Sequence, residues 1–218
     1  MRWIAILAAM AVSAAAAVAQ EGPDQRSAHE VVSDTTRDVM ELVAEVRENG
    51  GDTGSEYYAG LESVLDPVVD FRGFARGVMG PYASSSRYRS LDQAGREALV
   101  GQLDRFTEKM REVMVRTYGK GLLAFGGSRI DLTEPSGDEA DERRTSVQQL
   151  IYKEGAEPYV VLYQMGRDKE GSWKLRNMII ENVNLGEIYR SQFASAARKY
   201  DGDLDKVIDN WSAVDIDA

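Results

Sequence analysis

The sequence predicts an α+β domain in which helices cover one face of a twisted antiparallel meander sheet of four to five strands. Two observations carry that prediction. Apolar residues recur every three or four positions as far as residue 125, and every second position between 129 and 183. The alternating runs are separated by short polar turns, which is the pattern of consecutive hairpins. A return to helical spacing from Leu185 to Trp211 completes the order.

Residues 1–20 read MRWIAILAAMAVSAAAAVAQ. Arg2 precedes an apolar run from Trp3 to Val18, and Ala17 and Ala19 occupy the −3 and −1 positions of a cleavage site. This predicts a signal peptide, residues 1–19, and export. The run is shorter than the roughly 20 residues a spanning helix needs. No cysteine follows the site, so a lipid anchor is excluded. The domain is then 20–218, with a helical part 28–125, a sheet 128–183 and C-terminal helices 185–211.

Val31, Thr35, Val39, Leu42, Val43 and Val46 form the apolar stripe of a first helix, 28–48. A Gly-rich loop, 49–54, ends it. A second helix covers 55–65. A third covers 66–80, with Asp70 placed to cap its start and Gly80-Pro81 closing it. Ser90 and Gln93 have the spacing of a capping box for the longest helix. Leu99, Leu103, Phe106, Met110, Val113, Met114 and Tyr118 carry that helix over 91–118, with an extension to Phe125. Strands are predicted at 129–133, 144–153, 159–167 and 172–183, and the acidic run 138–142 as a solvated hairpin tip. Helices at 185–199 and 204–211 follow.

The composition removes whole classes of chemistry. There is no cysteine and one histidine, His29, so no disulfide, thiol nucleophile or His/Cys metal cluster can be built. A formal charge of −10, or −11 without Arg2, disfavours nucleic acid. Phosphate-loop, dinucleotide and nucleophile-elbow motifs are absent, and Gly119-Lys120-Gly121 lacks the flanking residues of a phosphate loop. Asp66 and Asp70 read as an exposed charge and a cap. Glu181 reads as a pleat residue facing solvent, or as a partner for a nearby arginine. Nothing argues for catalysis. What the chain has in surplus is methionine and aromatic side chains, which suit an adaptable apolar pocket as well as an ordinary core.

Residues 66–82, DPVVDFRGFARGVMGPY, resemble the D-hydrophobic-x-x-hydrophobic-A-R-x-V-L-G-x-Y-W region of the toluene-tolerance family, the MlaC-like periplasmic phospholipid carriers. The resemblance continues through Phe106, Met110, the run 114–118, Val161-Leu162-Tyr163, Trp173, residues 179–185 and Tyr189-Arg190-Ser191-Gln192-Phe193. It departs at Asn182 and Asn184, at Ala83 and at Ser84–Ser86. The resemblance implies a nuclear-transport-factor-like sheet with an apolar cavity between sheet and helices. It implies a non-enzymatic monomer without cofactor or metal. It implies shuttling of phospholipid between an outer-membrane lipoprotein complex and an inner-membrane ABC transporter complex with its substrate-binding-domain subunit. On that basis Val78, Met79, Tyr82, Phe106, Met110, Met114 and Tyr118 are expected on the helical wall. Val147, Ile151, Val161, Tyr163, Met178, Ile180 and Val183 are expected on the sheet wall. Arg76, Arg116 and Arg190 are expected at a head group or partner surface. The alternatives are an exported small-molecule enzyme, which would need convergent acid, base or histidine groups in the cavity, and a protein-interaction module with a solid core.

Overall fold

A computed structural model describes residues 26–50, 54–125, 129–133, 143–152, 155 and 157–212. The segment expected to be a signal peptide, its expected cleavage site and the acidic run 138–142 lie outside the described residues.

Helix α1, Ala28–Glu48, opens with a capping box between Ser27 and Glu30. Helix α2 is Ser55–Leu65. Helix α3, Phe71–Met79, is shorter than the sequence suggests. Asp70 does cap it, accepting from the Gly73 amide at 2.9 Å. Residues 66–70 are not its first turns. The Asp70 amide donates to the Leu175 carbonyl and the Leu175 amide to Val68, so this segment lies along a strand edge. Those hydrogen bonds compete successfully with helical ones, and β-branched Val68 and Val69 favour the extended form.

A 3₁₀ turn, Gly80–Ala83, leads to helix α4, Ser85–Ser90, capped by Ser84. Ser84–Ser86, where the resemblance to the family departs, are therefore a helix start. Helix α5, Gln93–Phe125, is 33 residues and about 50 Å long. Its cap is Asp92, whose carboxylate accepts from the Gly95 amide at 2.8 Å. Ser90 instead donates to the Arg87 carbonyl and closes α4.

Strands β1 (Ile130–Leu132), β2 (Arg144–Ile151), β3 (Tyr159–Arg167), β4 (Trp173–Ile180) and β5 (Val183–Asn184) form one antiparallel sheet in sequence order. The fourth strand does not run on to Val183. Glu181 takes a left-handed φ of 55° and the chain folds back, pairing Val183 with Ile180. The Glu181 carboxylate accepts from the Val160 amide at 2.7 Å while its own amide donates to the Val160 carbonyl. Glu181 is exposed, and its bond goes to backbone and not to an arginine. Asn184 then caps helix α6, Leu185–Lys199, and Asp203 caps helix α7, Leu204–Asp209.

Three apolar clusters hold these parts together. α3, the first half of α5, α6 and α7 pack around Phe106, whose ring lies 5.0 Å from both Phe193 and Trp211. α1, α2 and the middle of α5 enclose Val43, Tyr57, Leu61 and Val115. Gly119 permits the close approach of α2, since a Cβ there would meet Leu61 at 2.8 Å. The start of α1 covers Val147, Met165 and Trp173 on the sheet.

Candidate functional site

Strand register decides which side chains face the helices. Val147 pairs with Tyr163, and Tyr163 with Met178. Gln149 pairs with Val161, Val161 with Ile180, and Ile180 with Val183. Paired residues lie on the same face of a sheet. Ile151, at even spacing from Val147 and Gln149, joins them. All seven residues expected on the sheet wall therefore share one face. A bulge at Arg176 makes this possible, because the register shifts between the Gln164–Asn177 and Met165–Leu175 pairs. Trp173 and Leu175 point inward on one side of it and Met178 and Ile180 on the other. The Arg176 guanidinium pairs with the Asp70 carboxylate, which ties the bulge to the cap of α3.

The helical wall divides in two. Val78, Met79, Phe106 and Met110 are 0–2% exposed and belong to the cluster with α6 and α7. A side chain bordering an empty chamber keeps accessible surface toward it, so these four residues are solid packing and not lining. Tyr82 rests on Phe193, with ring centroids 5.8 Å apart. Met114 and Tyr118 differ: both are only half-buried although they sit between the layers. Met178, Ile180 and Val183 are half-buried as well, and all five adjoin the edge of the first cluster. The sheet's closest helical neighbours are α1, α3 and α6. The second half of α5 is not among them. Met114, Tyr118, Met178, Ile180 and Val183 thus outline an apolar seam at the edge of the first cluster.

On the sheet side the seam abuts a polar chain that sequence reasoning missed. Gln149, 2% exposed, donates to the Thr36 hydroxyl at 2.9 Å and accepts from the Tyr163 hydroxyl at 2.7 Å. Gln149 has the same parity as Val147 and Ile151, so its inward direction was readable from the strand. Burial without these bonds would be costly. On the helical side the hydroxyls of Tyr118 and Tyr189 approach to 3.4 Å.

Burial raises the ionisation of Tyr118, Tyr163 and Tyr189 above the ordinary tyrosine range, and pushes Tyr57 up to about 12. Folded values above the unfolded value of about 10 mean that the unfolded chain loses protons first. This contribution is fully present below pH 10 and is lost as pH rises through the folded values. Urea midpoints should stay flat with respect to these groups up to pH 10 and fall beyond it. In Tyr57→Phe the decline from pH 10 to 12 should be shallower.

The three arginines do not converge on the seam. Arg116 pairs with Glu112 at 3.4 Å and lies over the Tyr58 ring. Arg190 donates to the Gly77 carbonyl at 2.9 Å, joining α6 to α3. Arg76 borders a separate cleft of about 410 Å³ between α3, α4 and α5. Among the described residues no group of three or more His, Asp and Glu is placed to hold a metal ion, and no helix is long and apolar enough to cross a membrane.

Comparison with known proteins agrees with this architecture. Residues 33–213 match the family model described as MlaC protein. The toluene tolerance protein ttg2D of Pseudomonas putida is 30% identical over 184 residues, covering 84% of this chain and 79% of that protein. A phospholipid-binding protein from Ralstonia solanacearum, solved in complex with a phospholipid, superposes with a TM-score of 0.69 at 19% identity, over 84% of this chain and 94% of that one. The family match spans both the helical part and the sheet, and with it this chain belongs to the MlaC family.

Proposed function

We propose that the protein is a periplasmic phospholipid carrier that takes the acyl chains of one lipid at a time into the seam between α5 and the sheet. It would exchange that lipid with an inner-membrane ABC transporter complex, through its substrate-binding-domain subunit, and with an outer-membrane lipoprotein complex. MlaC proteins are non-enzymatic lipid carriers. The Ralstonia solanacearum relative holds a phospholipid. One observation supports the assignment most directly: Met114, Tyr118, Met178, Ile180 and Val183 adjoin the edge of one apolar cluster without being fully buried.

The energetics suit such a carrier. Two acyl chains hold roughly 30 methylenes, and at about 0.8 kcal/mol each their exposure to water costs on the order of 24 kcal/mol. A site about as apolar as a bilayer removes that cost without binding so tightly that delivery stops. Methionine at both walls adapts to chains of different shape. Opening requires the second half of α5, together with α2 packed on it at Gly119, to move relative to the sheet.

Native mass spectrometry of the protein purified from producing cells tests this. The expected result is a mass increment of one diacyl phospholipid, removed by organic extraction. Protein that stays lipid-free, and takes up none from mixed vesicles, would overturn the proposal.

A further inference from the structure

A second surface lies at the opposite end of α5. In a chain of net charge −10, residues 71–96 contain five arginines and one acid, Asp92. Arg72 is engaged by Asp104. Arg96 donates to the carbonyls of Tyr88 and Arg89 at 3.1 and 3.2 Å. Arg76, Arg87 and Arg89 are exposed and pair with no carboxylate among the described residues. Glu97, the acid at the rim, accepts a hydrogen bond from Gln93 at 3.0 Å.

Tyr88 and Val100 rise between these cations. They are 42% and 38% exposed, the most exposed large apolar side chains among the described residues. Both border two hollows, of about 480 and 410 Å³. The surface is thus an apolar ridge between two clefts, with unpaired guanidinium groups around it. Tyrosine and arginine are the side chains that most often carry binding energy at protein interfaces.

We propose that this surface docks an acidic segment of a partner protein. Carboxylates of that segment meet Arg76, Arg87 and Arg89, and an apolar side chain enters the cleft beside Tyr88 and Val100. Charge complementarity selects the acidic partner. A protein fits better than a bilayer for two reasons. The overall negative charge repels anionic lipid surfaces, and the two hollows beside Tyr88 and Val100 have the size to receive side chains. Val100 and Met114 are separated by about 21 Å of helical rise, so a docked partner leaves the seam free.

The test is photocrosslinking in the producing cells, with Ser86→p-benzoylphenylalanine beside the ridge and Ser33→p-benzoylphenylalanine on α1 as control. A discrete protein adduct specific to position 86 is expected, and its crosslinked peptide should be net acidic. Adding Arg76→Glu and Arg89→Glu should reduce the adduct at least tenfold, while Arg76→Lys with Arg89→Lys retains it. All variants should keep their bound phospholipid, which separates this outcome from the fate of the carrier proposal. No discrete adduct, an adduct to lipid, a partner peptide without net negative charge, or an adduct indifferent to charge reversal would each overturn it.

Discussion

Met178→Glu is expected to purify with at least tenfold less phospholipid than the unchanged protein. Met178 stands on the inner face opposite Tyr163, at the edge of the cluster that includes Met114 and Tyr118. A carboxylate there stands at the opposite end of β4 from Arg167, the inward cation that lies over the Trp173 ring. Beside two alkyl chains it must either stay charged in an apolar medium or take up a proton, and both cost several kcal/mol. That exceeds the 1.4 kcal/mol needed for a tenfold change. Ile179→Glu is the control. It lies one residue further, pairs with Leu162 and points to the other face, so its lipid content should be unchanged. Met178→Leu, apolar and similar in volume, should also keep its lipid. Equal lipid content in Met178→Glu and the unchanged protein would remove the seam as the site.

Phe106→Ala should lower stability by about 3–5 kcal/mol, the usual cost of removing a fully buried ring. Phe106 has no exposed surface and packs edge-on against Phe193 and Trp211. It therefore joins α5 to α6 and to the residues that follow α7. Equilibrium urea unfolding measures the loss. The molecules that remain folded should carry the same amount of phospholipid per chain. A small stability change with a large loss of lipid would make Phe106 a lining residue after all, and the seam would extend much further along α5.

That contrast shows where sequence reasoning stopped. The limits of α1, α2 and α6 agree with expectation because caps, glycines and apolar spacing are local signals. Inward directions in β2 and β3 follow from strict alternation. In β4 the apolar positions 173, 175, 178 and 180 break alternation once, and the bulge at Arg176 is the physical meaning of that break. Other features depend on partners distant in sequence. Whether Ser90 or Asp92 caps α5 depends on α4 having already used Ser90. Residues 66–70 leave the helix because Leu175, more than a hundred positions away, offers them hydrogen bonds. Helical spacing places Phe106, Met110, Met114 and Tyr118 on one stripe, but cannot say that α6 and α7 fill the space over the first two and leave the others half open. The Arg76–Tyr88–Val100 surface brings together three helices, and no single stretch of sequence displays it.

The outer strands of the sheet are its shortest, three residues in β1 and two in β5. The free side of β4 is further occupied at Leu175 by residues 68–70. Each of these pieces offers a neighbouring molecule only a few unpaired amides and carbonyls. Open-ended growth by strand addition, the usual route from an exposed sheet edge to fibrils, therefore starts from a poor template. For a cysteine-free chain, which has no disulfide to hold its edges, that guards against the sheet joining its own copies.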